Sequence, residues 1–137
     1  MGFKQYEVVM KFLHSMIRVK NEEESIRFYC ELLGLKKGAR IRLEDCYLQY
    51  LTDEITKTEI ELTINDDTPE EGYSNGRAFG HFAFECDNLD EIEKKIIGMG
   101  YSWEIEPFFL EEVKTRIAFL RDPDNNEIEL IESITLH

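Results

Sequence analysis

The sequence predicts an α+β fold in which two βαβββ modules pair into a curved sheet. Three observations carry this expectation. The chain repeats itself, each half switches hydrophobic period from two to about 3.6 and back, and an acidic, turn-rich stretch lies between the halves. The repeat is weak in identity and consistent in spacing. His14 and His81 are 67 apart, as are Asn21 and Asn88, and Glu24 and Glu91. Gly34 and Gly100 are 66 apart, and Ile60-Glu61-Leu62 lies 68 before Ile128-Glu129-Leu130. These landmarks define a module over 12–65, a second over 78–132, and a linker over 66–77, together one domain.

Each element follows from local pattern. Phe12 to Val19 alternates as a strand, and so does Phe79 to Cys86. Asn21 with Glu24, and Asn88 with Glu91, are a variant of the capping box and open helices. Ile26, Tyr29, Cys30 and Leu33 form the expected buried stripe of the first helix; Leu89, Ile92, Ile96 and Met99 form that of the second. Gly34 and Gly100 suit the helix ends. Three short strands follow in each half. They are expected at Ala39–Leu43, Cys46–Thr52 and Lys57–Ile64, then at Tyr101–Glu104, Thr115–Arg121 and Glu127–Glu132. The run Asp122-Pro123-Asp124-Asn125-Asn126 is a turn. It lacks the glycine and the glutamate of a calcium loop, with Glu127 and Ser133 at those places. Neither half can cover both faces of its sheet alone, so the two must pair within one chain or between chains.

Composition narrows the function. The 137 residues carry 16 basic and 29 acidic side chains, a net charge of -13. That balance opposes nonspecific binding to nucleic acid or to an anionic membrane. No apolar run approaches the ~18 residues of a membrane span, and Met1 to Met10 has no leader-like apolar stretch. Cys30, Cys46 and Cys86 are odd in number and widely spaced, which suits reduced thiols and a cytoplasmic protein. There is no glycine-rich phosphate loop and no Cys/His pair for nucleophilic catalysis.

The polar side chains on the strands point to a metal. Strand residues two apart share a face. His14, Met16 and Arg18 face one way, and Leu13, Ile17 and Val19 the other. Glu59, Glu61, Thr63 and Asn65 oppose Ile60, Leu62 and Ile64. His81 opposes Phe82 and Phe84, and Glu129 opposes Ile128 and Leu130. Thus His14, Glu61, His81 and Glu129 all point away from the helix-packed side. Two neutral imidazoles and two carboxylates balance a divalent cation, which fits zinc, nickel, cobalt or manganese. A strand Glu is commonly just solvated, but His and Glu recur here at equivalent places in both halves. The third histidine, His137, is terminal, where chains commonly fray.

These segments resemble glyoxalase I (lactoylglutathione lyase), of the vicinal oxygen chelate superfamily. The matching stretches are Leu13 to Val19, Ile60 to Asn65, Phe79-Gly80-His81, and Asp122-Pro123-Asp124 leading to Ile128-Glu129-Leu130. The resemblance covers Phe12 to Glu132. It implies that His14, Glu61, His81 and Glu129 are metal ligands, and that Arg18, Asn65 and Arg77 contact glutathione. It implies isomerisation of the hemithioacetal of methylglyoxal and glutathione to S-D-lactoylglutathione, with Glu129 as principal base and Glu61 serving the other face. Short members of the family favour nickel or cobalt over zinc, and four protein ligands plus substrate or water suit five or six coordination. Small members also commonly share their sites across a homodimer. Lys114 lies near a loop where the family carries substrate-contacting lysines, without a clean alignment. The acidic stretch from Asp66 to Asn75 departs from the family pattern and leaves another thiol open as cosubstrate. The alternatives are another metalloenzyme of the fold, a dioxygenase or epimerase, or a metal-free binding protein conferring resistance. An iron dioxygenase would use two His and one carboxylate, one ligand fewer than here.

Overall fold

The computed structural model describes residues 8–134; His137 and the first seven residues lie outside them. The first half runs β1 (His14–Arg18), α1 (Glu22–Ile26) continuing as a π-helical segment (Arg27–Leu32), β2 (Lys36–Arg42), β3 (Cys46–Thr52) and β4 (Glu59–Asn65). The second runs β5 (His81–Cys86), α2 (Leu89–Gly98), β6 (Ile105–Leu110), β7 (Thr115–Arg121) and β8 (Glu127–Glu132). Each half makes a four-stranded sheet, in the orders β1-β4-β3-β2 and β5-β8-β7-β6. In both, the first and last strands pair parallel and the rest antiparallel.

Alternation sets which side each sheet buries. Val19, Ile60, Leu62, Ile128 and Leu130 are buried, and Ile17, Ile64, Phe82 and Phe84 pack against them. Both helices join the same core through Phe28, Tyr29, Leu32, Leu89 and Ile96. The helix starts are capped as expected. The Asn21 side chain accepts from the Glu24 amide at 3.1 Å, and Asn88 accepts from Asp90 and Glu91 at 2.9 and 3.2 Å. Gly34 and Gly100 take φ of 83° and 89°, the left-handed conformation that stops each helix.

Two elements differ from expectation. The first helix widens after Ile26, and the Leu33 amide donates to Phe28 O five residues back. The wider turn brings Phe28 and Leu32 fully into the core beside Tyr29, while Ile26, Cys30 and Leu33 are only partly buried. Tyr101–Glu104 is not a strand. Tyr101 and Trp103 pack onto the core, and Trp103 Nε1 donates to Glu93 at 2.7 Å. The strand begins later, at Ile105, and contains Pro107. β6 is an edge strand, where a missing amide donor is tolerated.

The halves hold one another. Phe28 and Tyr101 stack edge to face at 5.3 Å, and Arg27 donates to Met99 O at 2.8 Å. Tyr29 donates to Asp122 at 2.5 Å, and the Lys20 amide to Asp124 at 2.9 Å. Among the described residues no helix is long and apolar enough to cross a membrane. Cys30, Cys46 and Cys86 form no disulfide, and burial pushes the Cys86 thiol up to about 11.

Arg116 grips Glu132 with both arms of its guanidinium at 3.0 and 2.8 Å, and the Leu89 amide donates to the same carboxylate at 2.8 Å. Arg116 above all holds the Glu132 carboxyl below its ordinary 4.5. A depressed folded pKa gives stability that is present above the unfolded value and lost as pH falls through the folded one. Glu132→Gln is therefore expected to cost about 1 kcal/mol at neutral pH. That cost should shrink below pH 4.5 in urea unfolding followed against pH. A cost independent of pH would mean that shape, not charge, is what Glu132 supplies.

Candidate metal centre

The parallel pairing of first and last strands in each half brings one imidazole to one carboxylate. His14 is in register with Glu59 on β4, and Glu61 lies two residues further on the same face. His81 is in register with Glu127 on β8, and Glu129 lies two further. The imidazoles lean across this diagonal. His14 Nε2 is 2.9 Å from Glu61 Oε2, and His81 Nε2 is 3.3 Å from Glu129 Oε1. Two donors each about 2.1 Å from one first-row cation and at right angles to it lie about 3 Å apart. Each pair therefore has the spacing of two adjacent ligands, and the mixture of nitrogen and oxygen suits a borderline divalent ion.

Both pairs are wet on one side and dry on the other. His14 is partly exposed and His81 exposed, while Glu61 is 9% exposed and Glu129 half-buried. Glu61 accepts from the Tyr50 hydroxyl at 2.6 Å, with Thr63 Oγ1 at 3.4 Å. That hydrogen bond to a carboxylate is the main reason the Tyr50 phenol sits above its ordinary pKa. Near His81, Glu127 stands 3.9 Å from Nδ1. Hydrogen bonding to Glu104, and then burial, holds the Glu127 carboxyl up, whereas Arg121 holds Glu104 down.

The four residues do not gather in one chain. Among the described residues no group of three or more His, Cys, Asp or Glu side chains stands close enough to hold an ion together. The half-sites lie on sheet faces turned away from the shared core, as the strand parity implied. Their surroundings include exposed apolar side chains. Phe12, Leu13 and Met16 flank His14 in sequence, Phe79 precedes His81, and Ile105, Phe108 and Phe109 lie on β6.

The other expected residues are placed as follows. Arg18 ends β1, four residues from His14, and is exposed. It lines a cleft of about 370 Å³ with Met16, Tyr73, Asn75 and Phe79. Asn65 ends β4 and donates to the Tyr73 hydroxyl at 2.9 Å. Arg77 is exposed in the segment before β5. The other five arginines, Arg27, Arg40, Arg42, Arg116 and Arg121, are in ion pairs. Arg18 and Arg77 have none among the described residues. Lys114 is paired with Glu111 at 2.7 Å. The sequence reading missed Tyr50 and Glu127. Both strands beside Glu61 were legible, and the missing quantity was their register, which puts Tyr50 directly opposite Glu61.

The family model for the Glyoxalase/Bleomycin resistance protein/Dioxygenase superfamily matches residues 11–130. The lactoylglutathione lyase of Neisseria meningitidis serogroup A is 38% identical over 128 residues, covering 90% of this chain and 91% of that protein. The structure of glyoxalase I from Zea mays superposes with a TM-score of 0.77 at 31% identity, covering 90% of this chain and 44% of that one. The trypanothione-dependent glyoxalase I from Leishmania major gives 0.71 at 29% identity, with coverages of 90% and 87%. The chain thus belongs to the Glyoxalase/Bleomycin resistance protein/Dioxygenase superfamily.

Proposed function

We propose that this protein is a metal-dependent lactoylglutathione lyase, which detoxifies methylglyoxal by isomerising its hemithioacetal with glutathione to S-D-lactoylglutathione. The observation that carries the proposal is the pair of imidazole–carboxylate couples at equivalent strand positions, in a chain 38% identical to a lactoylglutathione lyase over nearly its whole length. The ligands are His14 and Glu61 from one chain with His81 and Glu129 from a second, so the working unit is a homodimer. Two features support the dimer: the couples stand apart within a chain, and exposed apolar side chains surround them. Three cysteines without a disulfide fit a cytoplasmic enzyme.

A divalent ion held by these four donors supplies charge stabilisation as negative charge develops on neighbouring substrate oxygens, worth several kcal/mol. The chain does the rest. Glu129 removes the proton from the carbon bearing the hydroxyl and the sulfur, and a proton is returned to the adjacent carbonyl carbon. Glu61 faces the opposite side of the reacting carbons. Arg18 and Arg77 hold the carboxylates of glutathione, and Asn65 offers an amide to the same moiety. Local positive charge of this kind is needed where the whole chain carries -13.

Nickel or cobalt is favoured over zinc, because four protein ligands plus the substrate oxygens call for more than four positions. Metal-stripped protein reloaded with nickel is expected to form the thioester from methylglyoxal and glutathione, and zinc-loaded protein to form little. Trypanothione in place of glutathione is expected to support little turnover. Metal-loaded protein inactive with both thiols would overturn the substrate assignment while leaving the metal centre standing.

A further inference from the structure

We infer that Tyr50 is a positioning residue that fixes Glu61 in place and so leaves proton transfer to Glu129. The inference rests on the shared centre proposed above. The internal repeat makes the comparison possible. On β3, Tyr50 is in register with Glu61; on β7, Phe119 is in register with Glu129. Both rings stand edge-on to the neighbouring imidazole. Tyr50 is 5.2 Å from His14 at 82°, and Phe119 is 6.0 Å from His81 at 74°. The two half-sites therefore match in backbone, register and ring placement. They differ at this position by one oxygen atom.

That oxygen separates the two carboxylates chemically. Tyr50 donates to Glu61 Oε2, the same oxygen that faces His14 Nε2. Thr63 approaches the other oxygen. Rotating Glu61 would break a charge-assisted hydrogen bond. Glu129 is in register with Phe119 instead, whose ring has no hydroxyl to restrain it. A carboxylate that must swing and carry a proton is better placed there. Near-equivalent glutamates are thereby given unequal work, a static ligand on one side and a mobile base on the other.

Tyr50→Phe removes only the oxygen, and Phe119→Tyr adds one at the equivalent place. Cobalt reports on the centre without turnover, through its visible absorption band and through competition with a chelator. Tyr50→Phe is expected to keep the thermal midpoint, to weaken cobalt binding about tenfold and to change the band. Phe119→Tyr is expected to keep cobalt binding and to lower kcat about tenfold at unchanged KM. If the wild type binds cobalt and both variants match it in affinity, band and kcat, the role given to Tyr50 is wrong. If the wild type binds no cobalt, the shared centre falls first and the inference with it.

Discussion

Mixing a His14→Ala chain with a His81→Ala chain is expected to restore lyase activity that neither chain has alone. Each homodimer would lack one imidazole at both of its sites. Losing a ligand from a four-donor centre costs metal affinity and removes the charge that the reaction depends on. In the mixed dimer the lesions fall together. One site combines the altered His14 chain with the altered His81 chain and loses both imidazoles. The other combines the two intact halves. Random exchange makes about half the dimers mixed, each with one intact site of two, so about a quarter of wild-type activity is expected. The geometry motivating this is the separation of the two half-sites within one chain. Activity that stays at zero, with mixed dimers demonstrated by mass, would place each site within a single chain. Metal content measured on the same sample adds a second readout, with about one bound ion expected per mixed dimer against two per wild-type dimer.

Much of the strand arrangement behind the candidate site is legible in the sequence, and the reason is parity. In a strand, the face of a side chain depends only on whether its position is odd or even relative to its neighbours. His14 against Ile17, Glu61 against Leu62, and Glu129 against Leu130 therefore read off directly, and β3, β7 and β8 fell at their expected bounds. What parity cannot give is which residue stands across the ladder. The partner of Glu61 depends on how many residues the Asp53–Thr58 connection spends in its turn, where Lys57 adopts a φ of 65°. Tyr50 was missed for that reason. The π-helical widening after Ile26 was illegible for a different one. A helical stripe is read at fixed period, so a change of pitch imposed by packing Phe28 and Leu32 leaves no local signal.

Asp122→Ala is expected to destabilise the fold by about 3 kcal/mol, more than most single substitutions away from the half-sites. The carboxylate is 5% exposed and carries four hydrogen bonds. Asp122 Oδ2 accepts from the Tyr29 hydroxyl at 2.5 Å and from Asn126 Nδ2 at 2.8 Å. Oδ1 accepts from the Asn126 amide at 2.7 Å and from the Asp124 amide at 2.9 Å. Three of these close the turn between β7 and β8, and the Tyr29 bond ties that turn to the first helix. Burial first, and Asp122 second, holds the Tyr29 phenol well above its ordinary pKa, so it remains a donor throughout the physiological range. Removing the carboxylate leaves a buried hydroxyl and buried amides without an acceptor, which costs more than the bonds themselves contributed. Tyr29→Phe deletes a single bond and leaves Asp122 with its other donors, so about 1 kcal/mol is expected there. For a chain of this length the larger loss lowers the melting temperature by about 10 °C. Because Tyr29 donates directly to Asp122, the double variant should cost less than the sum of the two singles. Strict additivity would mean that the turn is held by its own amides alone, and that the helix gains nothing from the contact.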